Sequence, residues 1–256
     1  MIYSKLSIGT AQFGMTYGVA NKFGKVHNEN MVNILDGAHI AGIDSIDTAM
    51  VYGDAESRLG SCMLDGWRIV TKLPPIPPNT EEILDWVLKM VQGSLIRLQQ
   101  AKLYALLLHR PNDLIGPHGK ALYKALLQLK AEGLVCKIGV SIYAEDELTD
   151  ICSRYAIDII QVPFNIFDRR IVSSGLLERL SLQGIEVHTR SSFLQGLLLM
   201  PLNIRPIKFQ RWQNLWTLWD EWLLDNNISP LAACVRFALS QTGIDRVVIG
   251  VDNPEQ

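Results

Sequence analysis

Eight short runs rich in apolar and β-branched residues punctuate the chain, at Leu6–Thr10, Ile43–Asp47, Arg68–Lys72, Leu103–His109, Val135–Val140, Ile157–Val162, Ile185–Thr189 and Arg246–Ile249. Longer segments of helical period lie between them. In Glu29–Ala41 the apolar Met31, Ile34, Leu35 and Ala38 fall at i, i+3, i+4 and i+7, one face of an amphipathic helix. Asn79-Thr80-Glu81-Glu82 places an N-cap residue type and early acids ahead of a helix reaching about Leu98. Lys120–Glu132 repeats the pattern and stops at Gly133, and Glu145–Tyr155, Ile171–Gln183 and Pro230–Gln241 complete the series. Strands joined through crossovers of that length cannot form hairpins, so they pair in parallel. A doubly wound open sheet would also alternate, but it opens on a glycine-rich turn of the G-x-G-x-x-G type. Here the first turn reads Gly9-Thr10-Ala11-Gln12-Phe13-Gly14. Eight βα units in 256 residues therefore predict an α/β fold, a single (β/α)₈ TIM barrel domain over residues 1–256.

Two features break the regular repeat. Residues 190–245, between the seventh and eighth runs, are too many for one helix and hold Trp212, Trp216, Trp219 and Trp222 at spacings that share one helical face. That stripe is expected to pack on the barrel; lining a substrate mouth is the alternative. Gln256 follows the eighth strand too closely for a final C-terminal helix, so apolar surface is expected between the first and seventh helices, with a homo-oligomer as one way to cover it. Composition narrows the function classes. With 48% hydrophobic residues and 24 Lys+Arg against 26 Asp+Glu, the chain is too apolar for disorder and offers no basic surface for nucleic acid or an anionic membrane. No apolar run approaches a spanning helix, and the N-terminus lacks the pattern of a secretory signal. Cys62, Cys136, Cys152 and Cys234 fit neither a zinc knuckle nor a C-x-x-C motif, and are expected to be reduced, mostly buried thiols of a cytoplasmic protein that binds no metal.

In a parallel barrel the reactive groups stand at the C-terminal ends of strands and in the loops beyond. Three consecutive runs end on an ionisable residue, Asp47, Lys72 and His109, and Tyr52 follows Asp47 by five positions. Each alone has an ordinary explanation: a helix cap, a rim lysine, a satisfied core histidine. Together, on adjacent strands, they make a coherent site. A buried Lys72 needs the countercharge of Asp47. An ammonium beside a phenol favours the phenolate, so Tyr52 is expected to titrate below the ordinary tyrosine range and to work as a general acid or base. His109 can polarise a substrate carbonyl. None of these side chains can give up a hydride, so carbonyl reduction would need an external cofactor.

These residues sit in motifs that resemble the aldo-keto reductase family: Ile46-Asp47-Thr48-Ala49-Met50-Val51-Tyr52-Gly53 with Glu56 and Leu59-Gly60, then Val70-Thr71-Lys72, then Leu107-Leu108-His109-Arg110-Pro111. The resemblance extends through Lys137-Ile138-Gly139-Val140-Ser141 and Ile160-Gln161-Val162 to the end of the chain. It implies a catalytic tetrad of Asp47, Tyr52, Lys72 and His109, and cofactor contacts from Thr10, Asp47, Ser141, Gln161, Arg190, Ser191, Phe193, Gly196 and Gly250, with Ser141 and Gln161 on the nicotinamide carboxamide. Two departures stand out. Ile142 replaces the asparagine that often follows the serine, and Arg190 takes the place of the aromatic residue that commonly stacks on nicotinamide. An arginine plane can stack there, meet cofactor phosphates or an anionic substrate, or join a rim salt bridge. The resemblance implies NADPH. The stretch Ile249-Gly250-Val251-Asp252-Asn253-Pro254-Glu255-Gln256 holds no Lys or Arg for a 2′-phosphate, which keeps NADH open.

The leading expectation is NAD(P)H-dependent reduction of a small aldehyde, ketone or sugar carbonyl, with Tyr52 as general acid. One alternative is a nicotinamide-binding sensor or accessory barrel, or an inactive reductase. Another is an aldolase using Lys72 as a Schiff base, which requires an uncharged lysine that Asp47 opposes.

Overall fold

The computed structural model describes residues 5–143 and 145–256, so only the first four positions and Ala144 of the expected domain lie outside the described residues. Eight parallel strands close into a barrel in chain order: β1 (Leu6–Gly9), β2 (Ser45–Asp47), β3 (Arg68–Leu73), β4 (Leu103–Leu108), β5 (Val135–Ser141), β6 (Ile159–Pro163), β7 (Glu186–Arg190) and β8 (Arg246–Gly250). β8 closes the ring on β1, with Gly250 beside Gly9. Between the strands run α1 (Ala11–Gly14), α2 (Asn28–Ile40), α3 (Ala55–Gly60), α4 (Ile83–Leu98), α5 (Gly119–Ala131), α6 (Asp146–Arg154), α7 (Arg170–Ser173), α8 (Leu176–Leu182), α9 (Gln213–Asp225) and α10 (Pro230–Leu239).

Both faces of the strands are buried, which explains their near-continuous apolar character. Ile69, Leu106, Leu108, Ile138, Val140, Ile160 and Val162 join Val87, Val91, Leu122 and Leu126 of the helices in the main core. Val70, Ala105, Leu107 and Ile159 form a separate small cluster, against which Tyr104 packs. A polar group adjoins it: the Tyr104 hydroxyl donates to Glu186 Oε2 at 2.7 Å, His188 Nε2 lies 2.6 Å from Glu186 Oε1, and Lys137 pairs with the same carboxylate. Burial alone would raise the Glu186 carboxyl, but its hydrogen bonds to His188, Lys137 and Tyr104 bring it down to about 2.

Local structure corrects several expectations. The helix expected from Asn79 begins at Ile83, because Asn79 adopts φ 65° and the Thr80 hydroxyl turns back to Pro77 O at 2.8 Å instead of capping. Ile171–Gln183 is two helices, not one, broken where Gly175 enters the left-handed region at φ 74°. Cys136 is exposed despite its apolar neighbours, since it lies at the open start of β5; Cys62 and Cys152 are half-buried. Only Cys234 is buried, and burial pushes its thiol up to about 12. The tryptophan stripe divides. Trp216 and Trp219 pack with Leu197, Leu198 and Leu223, their indole N–H groups donating to Phe209 O at 3.0 Å and Leu198 O at 3.2 Å. Trp212 and Trp222 remain 41% and 44% exposed. Val19, Ala20, Phe193 and Leu194 pack against the same cluster, so the insert braces the loops after β1 and β7. No helix among the described residues is long and apolar enough to cross a membrane.

Candidate active site

Asp47 ends β2 beside Val70 of β3, and Lys72 lies two residues further along β3, beside Leu107. The period of two along a strand puts Lys72 on the same side as Val70 and Asp47. Lys72 is 1% exposed and Asp47 4%, so the pair is viable only if every charge is satisfied. It is. Lys72 Nζ donates to Asp47 Oδ1 at 2.7 Å, to Oδ2 at 2.8 Å and to Thr48 O at 2.9 Å, one acceptor for each ammonium proton. Asp47 Oδ2 also accepts from Gln161 Nε2 at 2.6 Å, and Gln161 Oε1 accepts from Ser141 Oγ at 3.3 Å. A polar chain thus links the ends of β5, β6, β2 and β3. Burial pulls the Lys72 pKa down, but the charge and hydrogen bonds of Asp47 together with Tyr52 outweigh it and the net shift is upward.

Tyr52 stands in the loop after β2. Its N–H donates to Ala49 O at 3.0 Å and its carbonyl accepts from Ala55 N at 3.0 Å. The loop backs closely onto α1: a Cβ on Gly14 would overlap Tyr52 O, and one on Gly53, whose φ is +56°, would overlap Gly14 O. Both glycines are therefore required by space, and Gly53 by backbone geometry as well. Gly53→Ala is expected to cost about 1–3 kcal/mol and to move the Tyr52 backbone. A lowered denaturation midpoint together with reduced turnover checks this. Below the loop, the buried Glu56 accepts from Thr71 Oγ1 and Ser94 Oγ, each at 2.7 Å, and from Arg97 Nε and Nη2 at 2.9 and 2.6 Å. Glu56 thereby ties α3 to β3 and α4.

Lys72 Nζ lies 5.3 Å from the centre of the Tyr52 ring, and the His109 ring meets Tyr52 edge-on with centroids 6.1 Å apart. These four side chains therefore gather around one point. The expected sign of the Tyr52 shift is corrected. Burial raises the phenol above its usual value; Lys72 lowers it, and Asp47 beside Lys72 works against that lowering. His109 is pushed down to about 4 by burial and by Lys72, so its imidazole is neutral at ordinary pH.

The remaining expected residues divide by position. Thr10 is fully buried, its hydroxyl and N–H both donating to the backbone Asp47 O at 3.0 Å, which makes it a brace on the Asp47 main chain. Gly250 lies against Gln12, whose amide a Cβ there would strike. Arg190, at the end of β7, stacks over Tyr143 with its guanidinium carbon 4.3 Å from the ring centre, and Nη2 donates to Ile142 O at 3.2 Å. It has no carboxylate partner among the described residues, which removes the rim salt bridge. In the loop that follows, Ser191, Leu194, Gln195 and Gly196 all have positive φ. The N–H groups of Ser192, Phe193, Gln195 and Gly196 donate to nothing among the described residues, and the buried Ser192 hydroxyl has no partner. Donors freed by such backbone suit a phosphate. Gln195 O accepts from Val19 N at 2.9 Å, and Asn165 Nδ2 donates to Ser191 O at 3.2 Å, which hold this loop in place. Asn165 and Glu56 are the supporting residues whose partners were not apparent in the sequence, and the unpartnered Ser192 hydroxyl was likewise not singled out there. Beyond β8, one Asp252 oxygen is buried without a partner, and burial raises that carboxyl.

The class of fold is thus a closed parallel α/β barrel with four ionisable side chains gathered at or just beyond its strand ends. The family follows from comparison: residues 5–256 match the aldo/keto reductase family, and the chain belongs to it. Three solved structures are similar in fold. An aldo-keto reductase from Pseudomonas aeruginosa is 22% identical with a TM-score of 0.72, over 98% of this chain and 85% of that one. A glycerol dehydrogenase from Gluconobacter oxydans is 24% identical with a TM-score of 0.76, over 98% and 83%. An aldo-keto reductase from Bacillus halodurans, in its holo form, is 20% identical with a TM-score of 0.75, again over 98% and 83%. No curated protein matches the sequence.

Proposed function

We propose that this chain reduces the carbonyl of a small aldehyde, ketone or sugar, using NADPH or NADH. Membership of the family implies NAD(P)H-dependent carbonyl reduction in general terms. The observation that carries the specific reading is the convergence of Tyr52, Lys72, Asp47 and His109 around one point. A bound nicotinamide would supply the hydride. Tyr52, kept protonated by burial, gives its proton to the carbonyl oxygen. Lys72 stands beside the resulting phenolate, and Asp47 keeps Lys72 charged and oriented. His109, being neutral, donates a hydrogen bond to the same oxygen without competing as the acid. Ser141 and Gln161 form a donor–acceptor pair suited to a carboxamide, and the free N–H groups of Ser192, Phe193, Gln195 and Gly196 suit the phosphates. The aldolase alternative loses ground, because Lys72 is held cationic by three acceptors and cannot attack a carbonyl in that state.

The pH profile of reduction tests the assignment of the acid. With the Tyr52 phenol raised above 10 and the His109 imidazolium depressed to about 4, turnover should be flat through neutrality and fall only in alkaline solution as Tyr52 loses its proton. Oxidation of the alcohol, which needs the phenolate, should rise over the same alkaline range. A reduction rate that falls through the ordinary histidine range, near pH 6.5, would make a histidine the donor instead.

A further inference from the structure

Arg190 carries the one charge near the tetrad that no described group cancels. Lys72 and Asp47 neutralise each other, and Tyr52 and His109 are uncharged at neutral pH. Asp168, also within the field of Arg190, is committed to Arg170, whose Nε and Nη2 reach it at 2.8 and 2.7 Å. Other guanidinium groups that reach into the protein are used up: Arg97 pairs with Glu56 and Arg205 with Asp220, and Arg58 donates to Asn28 Oδ1 and to the carbonyls of Phe13 and Val26. Arg190 is held by different means, a face stacked on Tyr143, the carbonyl of Ile142, and a long contact from Nη1 to Ser191 Oγ at 3.5 Å. Those contacts fix the guanidinium plane yet leave N–H donors unused, the arrangement of a preformed anion receptor.

We propose that Arg190 recognises an anionic group on the ligand, and that the carbonyl substrate bears a carboxylate or a phosphate. Two sources of such an anion exist, the substrate and the cofactor. The structure favours the substrate. Cofactor phosphates have their own candidate donors in the free N–H groups of Ser192, Phe193, Gln195 and Gly196 and in the Ser192 hydroxyl. Arg190 is fixed instead against Tyr143 and the carbonyl of Ile142, just past β5, and its charge is felt at Tyr52, Lys72 and His109. Arg190 thus leaves the set of cofactor residues and becomes a specificity residue. The carbonyl part of the proposal rests on the reductase reading; the anion part does not.

The test is calorimetric and needs no turnover. Wild type and Arg190→Gln are titrated with NADPH and, with and without NADP⁺, with glyceraldehyde 3-phosphate against glyceraldehyde and with succinate semialdehyde against butyraldehyde. At least one anionic member should bind wild type about tenfold or more tightly than its neutral counterpart. Arg190→Gln should lose that preference, with NADPH affinity and the neutral aldehydes changed by less than about threefold. Arg190→Lys, which keeps the charge and loses the stacked plane, should retain part of it. Equal binding within both pairs, no binding by any of the four, or a preference that survives Arg190→Gln would overturn the proposal. So would a tenfold loss of NADPH affinity in Arg190→Gln, which would assign the residue to the cofactor phosphates. An Arg190-dependent anion preference in a chain that reduces none of the four aldehydes would instead count against the reductase reading alone.

Discussion

Replacing Tyr52 by Phe should lower the rate of carbonyl reduction by about 10²–10⁴-fold while leaving cofactor affinity close to wild type. The substitution removes one hydroxyl. The ring keeps its place, because the backbone at Tyr52 is set by Ala49 O, Ala55 N and the close approach of Gly14 to Gly53. Its contacts with Lys72 and with the edge of His109 involve the ring face and need no hydroxyl. What disappears is the only acid placed to protonate the oxygen: His109 is neutral and Lys72 has its three protons engaged. Turnover in the variant comparable with wild type would remove Tyr52 from the mechanism.

Lys72→Met should have the second large effect, and on stability as well as activity. It strands the Asp47 carboxylate in a site where it is 4% exposed, with only Gln161 Nε2 still donating to its side chain. Breaking one half of a buried pair typically costs about 3–5 kcal/mol. For a chain of this size that corresponds to a thermal midpoint lower by roughly 10 °C. The double variant Asp47→Asn/Lys72→Met removes the stranded charge and should recover most of the stability without recovering turnover. A midpoint unchanged in Lys72→Met would mean that Asp47 is satisfied by other means. Equal losses in the single and double variants would mean that the penalty is packing and not charge.

Much of this site was legible before any coordinates. Asp47, Lys72 and His109 fall at or next to the ends of consecutive strands, and a parallel barrel leaves adjacent strand ends nowhere to go but together. Long amphipathic helices such as α2 and α5 announced themselves by their apolar spacing. The six residues of α3 are too few to show a period. The sequence around Asn79 looked like a cap, yet the side chains there served a turn after Pro77-Pro78. Glu56 stood in a recognisable motif, but Thr71, Ser94 and Arg97, which explain it, come from β3 and α4. The direction of the Tyr52 shift went astray for a related reason: a lysine nearby can be inferred from spacing, whereas the depth of the phenol and the opposing charge of Asp47 cannot. Arg190 was visible as a departure from pattern, and only its neighbours revealed that no carboxylate answers it.

Deuterium transfer tests the central claim most directly. Purified chain would be incubated with NADPH or NADH carrying deuterium at the transferable C4 position and a panel of neutral and anionic aldehydes and ketones, and the alcohols examined for deuterium at the carbinol carbon. Wild type should place one deuterium there for each cofactor oxidised, and Tyr52→Phe should place almost none. Saturable cofactor binding by a folded wild-type chain with no label in any alcohol would contradict the account, and would leave a barrel that holds the cofactor without using it.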